Sequence, residues 1–344
     1  MLQRGAVAIL VSCLLCWVPA RTATAQSFLS LERYTPDDGL SQHAITAMAE
    51  DDRGLLWIGT QEGLNRYDGH RFTVLRSAPG ETTGLVSSSI ESLAIDARSR
   101  LWVGTNDAGL EVIDLRTHRQ TRLGLADGLG HPTVRAILID PAGGAWLGTA
   151  AGIARVDGDV ASVRSIGITA AIVAMALSAD GVAHALDTQC YLWRLDHARI
   201  QLLATLPRGS TCVALQPVDG GFWLATATDG LHRVGSDGRA IGHHPADWLR
   251  GSQAELSALL QRTDGQWLLG YTDGVVTQAP ADWHAAPTPI TFDQKIDSAI
   301  ARFQQHSSGV LWIGSVTSGL FRARALSSTI RRDLVDDDDA AAWP

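Results

Sequence analysis

Leu55-Leu56-Trp57-Ile58-Gly59-Thr60 is a short apolar run that ends on a glycine and a hydroxyl residue, and the chain repeats it. It returns as Leu101-Trp102-Val103-Gly104-Thr105, Ala145-Trp146-Leu147-Gly148-Thr149 and Phe222-Trp223-Leu224-Ala225-Thr226. Two further copies are Gln266-Trp267-Leu268-Leu269-Gly270 and Leu311-Trp312-Ile313-Gly314-Ser315. The tryptophans step by 45, 44, 77, 44 and 45 residues. The long step holds one degenerate copy, Val182-Ala183-His184-Ala185-Leu186-Asp187, with His184 where a tryptophan is expected. That makes seven repeats. A fixed period near 44 residues, filled with short strands, is the signature of propeller blades.

Working outward from the tryptophan, each unit reads as four strands. An apolar run precedes it, as in Ala44 to Ala49 or Ile90 to Ile95. A turn rich in Asp and Gly separates the two, such as Asp52-Arg53-Gly54 or Asp264-Gly265, and these residues tolerate the positive φ of a hairpin. After the tryptophan strand a short polar loop leads to a glycine and a third strand, as in Gly63-Leu64-Asn65-Arg66-Tyr67. A more polar fourth strand follows, such as Arg71 to Leu75. The fold class expected is all-β, a seven-bladed β-propeller of four-stranded blades. Trp57, Trp102, Trp146, Trp223, Trp267 and Trp312 are expected at equivalent buried positions as structural wedges between blades. One indole buries about 150–250 Å², worth about 4–6 kcal/mol gross at ~25 cal/mol/Å². Phe28 to Tyr34 reads as a fourth strand lying ahead of the first repeat, able to complete the last blade and close the ring. Leu326 to Leu334 competes for that role.

Composition fits a large core: of 344 residues, 45% are hydrophobic and 19% charged, so extended disorder is not expected. Residues 1–25 have the form of a signal peptide, with Arg4, an apolar run from Ala6 to Val18 and an Ala23-Thr24-Ala25 cleavage site before Gln26. A lipoprotein signal ending at Cys13 and an uncleaved N-terminal anchor are the alternatives. Residues 26–326 are assigned to the propeller and 327–344 to an acidic tail expected to be disordered, with Asp336 to Asp339 its charge run. Export places the chain in the periplasm. Removing the signal takes away Arg4 and Arg21 and moves the formal net charge from −8 to −10. No basic patch stands out, which argues against nucleic acid as a partner. Cys190 and Cys212 remain in an oxidising compartment, where a disulfide and two buried thiols are both open.

Several phrases resemble a known family. Tyr34-Thr35-Pro36-Asp37-Asp38-Gly39-Leu40-Ser41, Leu56-Trp57-Ile58-Gly59-Thr60 and Gly63-Leu64-Asn65-Arg66-Tyr67-Asp68-Gly69 look like the two component regulator propeller repeat. The resemblance implies a periplasmic sensor propeller of the kind found in bacterial hybrid histidine kinases and diguanylate cyclases. It also implies an immunoglobulin-like domain, a membrane span and an output domain further on. The chain holds no residues that match these, so it is expected to be either a free propeller or the front of a longer receptor.

Motifs for chemistry are missing: the sequence has no P-loop, no H-E-x-x-H, and no G-x-S-x-G. His243-His244 is an adjacent pair, but neighbours on a strand point to opposite faces, so one metal cannot easily take both. No catalytic residue, metal site or cofactor is assigned. The loops between second and third strands and those between blades emerge on one side of the ring. They gather Gln61, Glu62, Asn106, Asp107, Asp229 and Asp273 from the first set, and His43, Glu81 and His131 from the second. This face is the expected binding surface for a polar small molecule, a glycan or a partner domain, since varied loops on a rigid frame carry recognition. Its acidic part is expected on blades one, two, five and six. The expected function is a sensor without catalysis. The alternative is a metal-dependent propeller lactonase or lyase, which needs acids, amides and a histidine converging at the channel floor.

Overall fold

The structure is a computed structural model that describes residues 28–78, 84–141, 143–196, 199–207, 209–250 and 254–325. The segment expected to be a signal peptide, Glu81, Leu326 to Leu334 and the expected acidic tail lie outside the described residues. Seven sheets form the ring, antiparallel throughout except that the last has a fifth, outer strand, Thr291–Phe292, paired in parallel with Phe28 and Leu29. Blade one consists of Ile45–Glu50, Leu56–Thr60, Gly63–Tyr67 and Phe72–Leu75. The later blades start with first strands Ile90–Ile95, Val134–Ile139, Ile172–Leu177, Cys212–Val218, Leu256–Gln261 and Ile300–Gln305. A short helix, Ala246–Arg250, stands between blades five and six.

Blade seven takes its fourth strand from the other end of the chain. Phe28–Tyr34 runs antiparallel to Leu320–Ala325, from Leu29 opposite Ala325 to Tyr34 opposite Leu320. Asp293 holds this strand, accepting from Ser30 Oγ at 2.6 Å and from the Leu31 amide at 2.8 Å. Tyr34, Tyr67, Phe72 and Trp312 pack ring against ring across the seam, at centroid distances of 4.8–5.9 Å. The two tyrosine hydroxyls meet at 3.0 Å.

The core lies between blades. Trp102 of blade two packs with Val134, Leu147 and Val156 of blade three, and Trp146 with Ile172, Ala185 and Leu195 of blade four. Trp57 and Trp312 likewise pack into the blade that follows. Where the tryptophan strand pairs with the first strand, Trp57, Trp102, Trp146, Trp223 and Trp312 occupy one register position. His184 occupies it in blade four, buried against Phe222 at 4.5 Å between ring centroids.

Trp267 does not. It pairs with Gln261, the last residue of its first strand, as Leu56 pairs with Glu50 in blade one. Leu268 takes the wedge position and packs with Ile300 of blade seven. Trp267 therefore faces the other way and clusters with Trp223 and Trp283. This corrects the expectation of six equivalent tryptophans. Strand side chains alternate faces, so a shift of one residue reverses the direction of packing. The signal was present in the sequence: Gly270 follows Trp267 by three residues, where the glycine of blade one follows Trp57 by two.

That glycine is explained by the neighbouring blade. A Cβ on Gly59, Gly148, Gly270 or Gly314 would come within 2.6 Å of Ile90, Ile172, Ile300 or Ile45, each the first residue of the next blade. In blade five the register position is held by Ala225, and blade six opens with Leu256, which is not branched at Cβ. In blade four it is held by Leu186, and blade five opens with Cys212. Glycine is thus required only where a β-branched side chain faces it. Gly148→Ala is expected to cost about 1–3 kcal/mol by overpacking, and adding Ile172→Leu is expected to recover part of the loss. Urea denaturation of the single and double variants checks this; additive losses would mean that the two positions do not meet.

Cys212 is also bonded to Cys190, with the Cα atoms 5.5 Å apart, tying the second-to-third-strand loop of blade four to the first strand of blade five.

Candidate functional site

The residue that closes each tryptophan strand shapes the loop that follows. Thr60 Oγ1 donates to the Gly63 carbonyl at 3.1 Å and accepts from the Glu62 amide at 3.1 Å. Thr105, Thr149, Thr226 and Ser315 bond the same way to the carbonyls of Gly109, Gly152, Gly230 and Gly319, at 2.8–2.9 Å. The same hydroxyls accept amides of Ala108, Ala151, Asp229 and Ser318. These clasps are fully buried or nearly so. They hold the loops that carry most of the expected site residues.

Gln61, Glu62, Asn106, Asp107 and Asp273 are exposed on these loops. Gln61 and Glu62 are joined through Gln42, which accepts from the Gln61 amide at 3.2 Å and donates to Glu62 at 3.4 Å. Asp273 caps its own turn by accepting the Val275 amide. The Asn106 carbonyl accepts from Thr133 Oγ1 at 2.5 Å, which ties this loop to the entry of blade three. His43 is exposed, and its carbonyl accepts the Gly319 amide. His131 Nδ1 accepts the Thr133 amide at 3.1 Å. These contacts stay within a blade or reach its neighbour.

Asp229 is different, because two histidines meet it. His232 Nε2 lies 2.9 Å from Asp229 Oδ2, and His243 Nε2 lies 3.7 Å from Oδ1 and 2.7 Å from the Asp229 carbonyl oxygen. His232 and His243 are directly opposite on paired strands and stack with centroids 4.3 Å apart. Burial pushes His232 below its ordinary pKa, with His243 adding to this and Asp229 opposing it. His243 and His244 do point apart, as strand geometry requires. His244 lies among Trp223, Trp248 and Trp283, with centroids at 4.4–5.3 Å. The sequence reading missed the cross-strand partner, which only register can supply.

A second group lines the central channel. In every blade the first strand carries a bulge at its second residue: Thr46, Glu91, Arg135, Val173, Val213, Ser257 and Ala301. A bulge leaves a residue outside the ladder and re-aims its side chain. All of these except Thr46 line a channel cavity of about 280 Å³, to which Ser92, Gln216 and Arg302 add polar groups. None of the eight described loop residues expected at the site reaches it. Arg302 is open to the channel interior rather than packed. The surrounding blades still lower its guanidinium pKa by desolvation, and Glu91 acts the other way. An arginine so placed keeps its charge near neutral pH. With two arginines and one glutamate, the cavity favours an anionic group. Because first strands start where the inter-blade connections end, Glu91 and Arg135 lie toward the mouth on the loop face. A charged residue directly after the opening Ile or Val of a first strand was the available signal.

Residues 39–62 match the family described as two component regulator propeller. The chain carries that repeat. Asp38 accepts the Thr35 amide at 2.8 Å, Gly39 turns at φ 99°, Leu40 is buried, and Ser41 Oγ meets Thr60 Oγ1 at 2.7 Å. Over 52 residues the chain is 44% identical to histidine kinase P4 of Formosa agariphila, covering 15% of this chain and 4% of that protein. Its fold is similar to the extracellular domain of a B. thetaiotaomicron protein described as a hybrid two component system. That likeness has a TM-score of 0.72 at 16% identity, over 86% of this chain and 42% of the other. It is also similar to virginiamycin B lyase from Staphylococcus aureus, with a TM-score of 0.69 at 12% identity, over 87% of this chain and 99% of the other. At these identities the structural likeness establishes the fold. The chain spans under half the length of the extracellular domain and a small fraction of the kinase.

Proposed function

We propose that this propeller is an exported sensor module of a bacterial two-component system, and that it takes up an anionic, polar ligand through the channel mouth on its loop face. The observation that carries this is the sevenfold bulge, which aims Glu91 and Arg135 into the channel beside Arg302. The two component regulator propeller match supports the sensor role. The cavity suits a ligand about the size of one sugar unit bearing a carboxylate. The loop residues Glu62, Asp107, Asp229 and Asp273 form the rim, available to a partner domain or to the outer part of a glycan. The lyase alternative calls for a histidine and acids on the channel floor; the polar side chains lining this cavity are Glu91, Arg135, Arg302, Gln216, Ser92 and Ser257.

Titration calorimetry with glucuronate, citrate and glucose tests the proposal. The two carboxylates are expected to bind in preference to glucose, and Arg135→Ala with Arg302→Ala is expected to weaken them by about tenfold or more, as loss of charged hydrogen bonds does. Replacing Glu62, Asp107, Asp229 and Asp273 together by Ala is expected to leave this binding in place. Equal binding of glucose, or carboxylate binding unaffected by the double variant, would overturn the channel assignment.

A further inference from the structure

We infer that Asp229, His232 and His243 form a binding site for a borderline divalent transition-metal ion of the Zn²⁺ class, on the loop-face end of blade five. This does not rest on the proposed sensor role. The donor set is two imidazoles and one carboxylate, which suits Zn²⁺, Ni²⁺ or Cu²⁺ rather than Mg²⁺ or Ca²⁺. One ligand atom from each residue falls within 4.8 Å of the others. Tetrahedral Zn²⁺ with bonds near 2.0–2.1 Å separates its ligand atoms by about 3.3 Å. His232 Nε2 lies 2.9 Å from Asp229 Oδ2 and His243 Nε2 lies 3.7 Å from Oδ1, so each imidazole faces one carboxylate oxygen at a separation near that value.

Two features favour a metal over a merely packed polar group. First, His232 Nε2 is shielded from solvent and close to Asp229 Oδ2, yet it finds no well-directed hydrogen-bond partner. Second, the same register position in blades one and two is fully occupied structurally. Asn65 of blade one bonds to the Ser41 amide at 2.8 Å and the Ile58 carbonyl at 3.1 Å. Glu111 of blade two accepts from the Val86 amide at 2.9 Å and pairs with its cross-strand partner Arg122 at 3.0 Å. In blade five the corresponding pair is His232 opposite His243, two stacked imidazoles that leave His232 Nε2 without such a partner. The loop that carries Asp229 is held as in the other clasped blades: Thr226 Oγ1 accepts the Asp229 amide at 3.2 Å and donates to the Gly230 carbonyl at 2.9 Å.

Binding requires one local change. His243 Nε2 exchanges the Asp229 carbonyl for the metal, with its proton carried on Nδ1 instead. His243 and Asp229 side chains are about two-fifths exposed, 40% and 42%. An ion there would keep at least one position open to an outside ligand, the arrangement of three protein ligands plus a free site.

The test uses the purified chain after dialysis against a chelator, titrated with Zn²⁺ and, separately, with Co²⁺ followed by its visible absorption. Saturation at one ion per chain is expected, with a Co²⁺ spectrum of low coordination number. His243→Ala, chosen because this side chain is exposed, is expected to lower affinity at least about 100-fold, the upper end of what loss of a supporting outer-shell group costs. Asp229→Asn is expected to weaken binding as well, and circular dichroism is expected to stay unchanged in both. His306→Ala, at a separate histidine 3.3 Å from Glu50, serves as the control and should bind normally. No saturable ion in the parent chain, or equal affinity in folded His243→Ala, would overturn the site.

Discussion

Trp102→Ala is expected to lower the stability of the propeller by about 3–5 kcal/mol, the range for removing a large aromatic side chain from a core. The indole is fully buried and bridges blades two and three, against Val134, Leu147 and Val156. Its Nε1 donates to Asp96 Oδ2 at 3.0 Å, and the Arg100 guanidinium lies 5.3 Å from the ring centroid. Arg100 Nε bonds to the same carboxylate oxygen at 2.6 Å. The substitution therefore opens a cavity and removes one donor from a buried acid. Burial pushes the Asp96 pKa up, but the Trp102 indole and the Arg100 amide and guanidinium outweigh it and hold the value low. A carboxylate with a lowered folded pKa adds stability that is present above its unfolded value and lost as pH falls through the folded one. Trp102→Ala is accordingly expected to show a shallower acid loss than the parent chain. Urea denaturation from pH 7 downward measures both effects. A loss below about 1 kcal/mol would rule out the wedge role that the burial implies.

Deleting Phe28–Tyr34 is expected to produce soluble oligomers and a large loss of stability. The deletion leaves Leu320–Ala325 as an unpaired edge, a template for pairing with another chain. It also removes Leu31 and Tyr34, both buried, worth about 3–6 kcal/mol together at the usual side-chain values. Tyr34 carries further weight because Tyr67, Phe72 and Trp312 all pack on its ring. Light scattering over a concentration series, with thermal unfolding in parallel, reads the result. A monomer of unchanged melting temperature would show that another segment closes the ring.

The recurring tryptophan, the Asp-Gly turns and the polar loops were enough to see seven blades, and Phe28 to Tyr34 was readable as the closing strand. These features are local, each set by a few neighbouring residues and by a period that repeats. Trp267 shows where this fails. Its spacing from Trp223 and Trp312 is regular, so counting tryptophans hides the one-residue shift that turns it toward blade five. The glycine spacing inside the motif would have revealed it. The charged first-strand residues were likewise visible, but their meaning depends on the bulge that frees Glu91 and Arg135 from the ladder.

From the sequence alone follow the all-β class, the seven repeats, the wedge role of most tryptophans and the side of the ring on which varied loops collect. Only the tertiary structure decided which residues share a site. His232 and His243 are eleven positions apart in the chain and become neighbours through strand register. Glu91, Arg135 and Arg302 come from three blades and share one cavity because the ring closes. Gly148 needs Ile172 of the next blade to explain it. The period of a repeat is written along the chain, where local hydrophobicity and turn chemistry act. The company each side chain keeps is set across the chain, by register, bulges and ring closure.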